Sequence, residues 1–187
     1  MESWNGIQTD AFARGRWHLL AQAEMRSANQ FSLLSESRQQ FDLRFAAAPH
    51  LALVSITQFV QAHSATKGWS PSVRQMNGVE LPFRASRFSL VARTVAEHYY
   101  QAGADYDRFR QNGLLRLTRL RLQPEFGAEL FVDRQGWATT RTIAGLLLPC
   151  GQRLQLDAGY YYELRPARQG GHRHVIFTYF RLRKPRG

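Results

Sequence analysis

From Gln152 to Arg165 the side chains alternate in character with almost no fault. Leu154, Leu156, Ala158, Tyr160, Tyr162 and Leu164 share one face, and Arg153, Gln155, Asp157, Tyr161, Glu163 and Arg165 share the other. Successive side chains of a strand point to opposite faces, so this segment predicts a strand with one apolar side and one charged side. It is long for a water-soluble sheet, where about six residues is typical; roughly 9–11 tilted residues cross the hydrocarbon core of a bilayer. The pattern recurs. Trp17, Leu19, Ala21, Ala23 and Met25 oppose His18, Leu20, Gln22, Glu24 and Arg26, with Leu20 the misfit. Phe41, Leu43 and Phe45 oppose Arg38, Gln40, Asp42 and Arg44; Phe88, Leu90, Ala92, Thr94 and Ala96 oppose Arg87, Ser89, Arg93 and Glu97; Phe126, Ala128, Leu130 and Val132 oppose Gly127, Glu129 and Asp133. A shared period of two in separate segments predicts an antiparallel meander.

Turn signals divide the chain into strands over residues 4–12, 17–27, 36–47, 51–63, 70–80, 86–100, 106–122, 125–134, 137–148, 152–165 and 172–183. Connections at 13–16, 48–50, 81–85, 123–124 and 149–151 are short, and those at 27–35, 64–69, 101–105 and 166–171 are longer and more polar, the short hairpin at 134–136 excepted. Short turns at one end and longer loops at the other fit an outer-membrane barrel. The expected fold is therefore all-β, a single domain over residues 1–187 forming a closed antiparallel up-and-down transmembrane barrel. Bacterial single-chain barrels use even strand numbers, so about twelve strands are expected, with ten as the other count. Between Leu117 and Leu120 the leucines change face, and a one-residue bulge near Thr118 would return Leu120 and Leu122 to the outer side and keep Arg119 and Arg121 inside.

Charge and composition narrow the functional classes. The formal net charge is +11, with arginine far outnumbering lysine, which occurs only at Lys67 and Lys184. The arginines stand singly at alternate strand positions beside carboxylates and form no continuous stripe, so nucleic acid is not an expected partner. Cys150 is the single cysteine, which excludes an intrachain disulfide. Neither a nucleotide-binding loop nor a run of eighteen apolar residues occurs. The chain opens Met-Glu-Ser-Trp with no basic-then-apolar leader, although an outer-membrane protein is expected to carry a signal peptide.

The charged face is the main constellation. Glu24, Arg38, Asp42, Arg44, Arg93, Glu97, Glu129, Arg141, Arg153, Asp157, Glu163 and Arg165 are expected to line the lumen, as an ion-paired filling or as a narrow, anion-favouring pore. Trp17, Trp69, Trp137, Tyr99, Tyr100, Tyr160, Tyr162 and Tyr179 are read as strand-end or outer-face aromatics suited to a headgroup boundary. His172 and His174 share a strand face, but two ligands without a third make no zinc site, and neither a metal nor a cofactor is expected. His98 or His63 beside a loop serine would make a lipid-modifying hydrolase, yet no spacing selects a pair, so no catalytic residue is assigned. The same alternation read inside out describes a soluble lipocalin-like barrel around an apolar ligand.

Several runs together resemble a known family. Arg-Leu-Thr-Arg-Leu-Arg-Leu at 116–122, Ala-Glu-Leu-Phe at 128–131, Arg-Thr-Ile-Ala-Gly-Leu at 141–146, Arg-Leu-Gln-Leu-Asp-Ala-Gly-Tyr at 153–160 and His-Val-Ile-Phe at 174–177 follow the order of the bacterial outer-membrane family catalogued as domain of unknown function 2490; Trp4 and the strand from Trp17 to Arg26 resemble its first hairpin. The resemblance implies a Gram-negative outer-membrane barrel without assigned activity. Its partners would be the bilayer, lipopolysaccharide and, during insertion, the barrel-assembly machinery. The chain departs from that pattern in its missing leader, its arginine-rich lumen and its basic tail from Arg181 to Gly187.

Overall fold

The structure, a computed structural model, describes residues 1–28, 33–101, 105–166 and 171–183. These form eleven strands in chain order: β1 (Glu2–Arg14), β2 (Trp17–Ala28), β3 (Leu33–Ala48), β4 (Leu51–Ser64), β5 (Gly68–Arg84), β6 (Phe88–Gln101), β7 (Tyr106–Leu117), β8 (Gln123–Asp133), β9 (Gly136–Cys150), β10 (Leu154–Leu164) and β11 (His172–Leu182). Each pairs with its sequence neighbours, and β1 pairs with β11 to close the barrel. Closure leaves no free edge on which another chain could template.

The count is eleven and not twelve or ten, and the barrel is not antiparallel throughout. With an odd number, β1 and β11 both start at the end carrying the 64–68 and 133–136 connections, so they can pair only in parallel, from Glu2 opposite Val175 to Thr9 opposite Leu182. Parallel ladders use evenly spaced, slanted hydrogen bonds and are slightly weaker per residue. The seam is reinforced from within, where Trp4, Val175, Phe177 and Tyr179 form a buried cluster with Ile143 and Tyr161 against it.

The expected bulge near Thr118 is replaced by a turn. β7 stops at Leu117, the Thr118 amide donates to the Arg87 carbonyl at 2.7 Å, Arg119 adopts φ 64°, and β8 begins at Gln123. The leucines change face because Leu120 and Leu122 lie in this exposed turn together with Arg119 and Arg121. Residues 123–124, expected to be the turn, open β8. Pro124 pairs with Leu146 of β9 and has no partner on β7, so its missing N–H costs no ladder bond.

Inside and outside follow the alternation. Outward-facing Ile7, Phe41, Leu53, Leu81, Phe109, Phe126, Leu146 and Phe180 are all exposed, and apolar side chains of this kind occur on every strand. Inward-facing Glu24, Asp42, Glu80, Glu97, Glu125, Glu129 and Glu163 are buried. The odd-looking Leu20 also points inward and is buried, as its position opposite Asp42 requires. The interior is not wholly polar: Val54, Ile56, Met76 and Val95 form a second apolar cluster on the wall facing the seam.

Small residues make room for the interior rings. A Cβ on Gly159 would lie 2.6 Å from Phe177 and 2.4 Å from the Ala144 carbonyl oxygen, and one on Gly145 would lie 3.2 Å from the same ring. Outside, the apolar belt is broken on β4 and β5 by polar side chains that satisfy one another. Ser55 donates to Asn77 at 2.9 Å, Thr57 to Gln75 at 2.7 Å, and the Gln75 amide to Ser55 at 3.0 Å.

Candidate functional site: an arginine-lined lumen

The lumen is organised by cross-strand registers. One row runs Glu80, Arg93, Asn112, Glu129, Arg141, Glu163, Arg173 across β5, β6, β7, β8, β9, β10 and β11, each residue directly opposite the next. Since i and its partner share a face, this sequence places alternating charge side by side around more than half the wall. Arg93 reaches Glu80 at 2.6 Å; Arg141 reaches both Glu129 and Glu163 at 2.5 Å; Arg173 lies 3.6 Å from Glu163 and also contacts Glu2. A second row is uncharged over most of its length: Gln8, Gln22, Gln40 and Gln58 stand opposite one another on β1 to β4, followed by Arg74 and Tyr99 on β5 and β6. Gln8 donates to Gln22 at 3.0 Å, and Gln58 donates to Gln40.

Together these rows enclose a cavity of about 390 Å³ lined, among the described residues, by nine arginines and four glutamates. Its lining comes mainly from the halves of the strands nearest the 28–33, 64–68 and 133–136 connections. Towards the opposite end the interior is filled by bridged ions. Arg44 spans Asp42 at 3.2 Å and Glu80 at 3.0 Å, Arg116 grips Glu125 at 2.5 Å, and Arg181 holds Asp10 at 2.8 Å while His18 lies 3.1 Å from the same carboxylate. Paired guanidinium and carboxylate forks of this kind hold their geometry tightly and neutralise charge that burial would make costly.

The aromatic side chains inside act as floors for the guanidiniums. Arg26 lies over Trp4 with its carbon 3.5 Å from the ring centroid, Arg74 over Tyr99 at 4.0 Å and Arg108 over Phe131 at 4.4 Å. Such stacking uses the flat, weakly hydrated guanidinium in a way a lysine ammonium cannot. Tyr179 donates to Glu24, and Tyr99 donates to Glu97 at 3.3 Å. Tyr99 and Tyr179 are thus buried interior residues and not members of an outer aromatic girdle, whereas Trp17, Trp69, Trp137, Tyr100 and Tyr160 are exposed.

Of the residues read from the sequence as lumen-lining, Glu24, Arg38, Arg93, Glu129, Arg141, Glu163 and Arg165 border the cavity. Asp42 and Glu97 pair with the cavity arginines Arg93 and Arg108, and Arg44 belongs to the bridged ions beyond the cavity. Asp157 belongs to β10 on the same face, near Glu125 and Arg116. Arg153 does not belong to the set. β10 begins at Leu154, two residues later than the alternation suggests, which leaves Arg153 exposed in the preceding turn with its carbonyl accepting from the Arg183 amide at 2.7 Å.

Missing from that set are Arg26, Glu36, Arg74, Glu80, Arg108, Arg110, Arg116, Glu125 and Arg173. Arg108 and Arg110 flank Phe109 and were accessible to the same parity rule, as was Arg26 opposite Met25. Arg74 was not, because its strand neighbours Gln75 and Asn77 are polar on the outer face and erase the alternation there.

Apart from His18, which faces the interior beside Asp10, the strand histidines form small outward clusters. His98 lies 2.5 Å from Asp107, which also accepts from Arg134 at 2.6 Å. His63 packs edge-on to Trp69, and His174 bonds Tyr160 beside His172. No group of three or more His, Cys, Asp or Glu side chains among the described residues is arranged to hold a metal ion. The acid–histidine pair at His98 therefore faces outward near the rim, away from the cavity.

A family model described as Protein of unknown function (DUF2490) matches residues 1–173. The chain belongs to this family. The match spans β1 to β10 and the first residues of β11, so the His-Val-Ile-Phe run at 174–177 lies beyond it. No curated protein matches the chain. Among the described residues of this DUF2490 barrel no helix is long and apolar enough to cross a membrane, which says nothing of crossings built from strands.

Proposed function

We propose that this DUF2490 barrel spans the bacterial outer membrane, where it forms a narrow, anion-favouring lumen and performs no catalysis. One observation carries the reading: carboxylates and guanidiniums fill the inside while large apolar side chains, exposed in the isolated chain, cover the outside. A water-soluble barrel gains nothing from that arrangement. A bilayer rewards it, because each outward apolar side chain meets hydrocarbon and each backbone polar group is bonded within the closed sheet. The lipocalin-like alternative needs an apolar interior, and an interior lined by nine arginines disfavours it. The hydrolase alternative needs a nucleophile beside a histidine, and the bond His98 makes is to Asp107.

In this setting the acyl chains and lipopolysaccharide are the outer-surface partners, and barrel-assembly machinery delivers the chain. Anion preference follows from the excess of arginine over glutamate along the cavity. Planar-bilayer recording tests it. Small channels that favour chloride over potassium are expected, and a silent bilayer containing correctly folded protein would reduce the function to that of a structural, ion-plugged barrel.

A further inference from the structure

Four arginines cluster on the cavity wall formed by β2, β3, β5 and β7, and their charges do not balance. Arg26 reaches Glu24 at 2.5 Å and Glu36 at 3.5 Å; Arg38 contacts Glu36 and lies 3.9 Å from Glu24; Arg108 reaches Glu97 at 2.5 Å. Three carboxylates thus serve three guanidiniums. Arg74 is the fourth, and no carboxylate among the described residues lies within ion-pair distance of it. Glu97, which is within its electrostatic range, is already held by Arg108 and faces Arg110 at 3.6 Å. The Arg74 guanidinium rests on the Tyr99 ring, and its Nε is buried without a hydrogen-bond partner among the described residues. Its like-charged neighbours Arg38 and Arg108 add to the local positive potential.

A buried cation without a counter-charge is costly, and a bound anion removes that cost. The anion should also match the fork. A guanidinium offers parallel N–H donors at the spacing of two oxygens on one carbon or phosphorus, which a spherical halide cannot fill. We propose that Arg74, floored by Tyr99 and supported by Arg38 and Arg108, is the binding subsite for an oxyanion, with phosphate as its best-fitting form. The inference rests on the reading of the lumen as anion-accepting and deepens it: the lumen holds a phosphoryl group and does not merely pass small anions. The cavity volume corresponds to roughly a dozen waters at about 30 Å³ each, room for a phosphorylated headgroup or a free phosphate with its hydration.

The purified barrel, folded in a non-ionic detergent at low chloride, is titrated calorimetrically with inorganic phosphate and phosphoethanolamine. Saturable binding of phosphate at one site per barrel is expected, weakened at least tenfold by Arg74→Gln and only partly restored by Arg74→Lys, which keeps the charge but loses the fork. Arg134→Gln, at the exposed rim, should leave the affinity unchanged. Tighter binding of phosphoethanolamine identifies a lipid headgroup as the source of the phosphoryl group, and equal or weaker binding identifies a free solute. Absence of saturable phosphate binding to the folded wild type, or an affinity untouched by both Arg74 variants, overturns the assignment. Because conduction is not measured, a barrel that conducts without binding phosphate sinks the subsite alone, and one that binds without conducting sinks the pore alone.

Discussion

Phe126→Arg separates the two environments the outer face can have. Phe126 lies on β8 between Leu115 of β7 and Ala144 of β9, and 55% of its surface is exposed. If that face meets water, the substitution removes apolar surface that is mostly solvated already, and surface changes of this kind stay within about 0.5 kcal/mol. If it meets hydrocarbon, arginine costs about 2–4 kcal/mol near the midplane, roughly a 30- to 700-fold change in the folding equilibrium at about 1.4 kcal/mol per decade. The local ladder is unaffected, since both side chains leave the backbone of β8 free to pair. Urea unfolding of the barrel reconstituted in thin phosphatidylcholine vesicles reads the difference as a shift of midpoint at constant slope. A midpoint within error of wild type, or a wild-type chain that is a stable monomer in plain buffer, would refute the lipid-facing assignment.

Arg141→Gln should destabilise the barrel by about 3–5 kcal/mol, because it strips a shared partner from the buried Glu129 and Glu163; urea melts should show Arg141→Gln/Glu163→Gln recovering part of the loss, and a single-variant midpoint equal to wild type would contradict the ion-pair row. Gly159→Ala should cost about 1–3 kcal/mol, since the new Cβ meets both the Phe177 ring and the Ala144 carbonyl; Phe177→Leu should relieve only the first contact, so full recovery in the double variant counts against this geometry. Arg119→Gly should stabilise by about 0.5–1 kcal/mol by relieving a positive-φ residue in the 118–122 turn, whereas a loss of stability in the same melts would favour the bulged strand.

What the sequence made legible depended on how cleanly each strand separates its two faces. β10 and β2 are readable because their outward positions are apolar and their inward ones mostly polar, and inward Leu20 shows that parity outranks side-chain type. β4 was opaque: Val54, Ile56 and Val60 point inward while Leu53 and Phe59 point outward, so both faces are apolar. β5 was opaque for the opposite reason, since Gln75 and Asn77 are polar on the outside and Arg74 was lost among them. Strand ends failed where composition continues past geometry. Arg-Leu-Arg-Leu after Thr118 keeps the strand rhythm, yet the backbone turns, and Gln152 and Arg153 carry the β10 pattern two residues back into a turn. Strand number failed for a topological reason. The boundaries indicate eleven, and the even-number rule of bacterial single-chain barrels points to twelve or ten; the parallel pairing of β1 with β11 closes the barrel at the odd count.

The two registers give the lumen two unlike walls, and the difference locates the proposed function. From Glu80 to Arg173 the charged row is paired almost link by link, so its net field is small and its side chains are held by partners on both sides. An incoming anion gains little there, because displacing any carboxylate breaks bonds already made. From Gln8 to Gln58 the wall carries neutral amides, which can exchange hydrogen bonds with water or solute without leaving a buried charge behind. That row ends at Arg74, where a cation stands without a carboxylate. On the proposed reading the charged wall is therefore the scaffold and the amide wall the track, with the positive potential concentrated where the track meets the rim. The same excess of arginine over glutamate spread evenly over the wall would give neither a rigid lumen nor a localised site. It is the register, more than the total charge, that gives arginine two roles in one barrel.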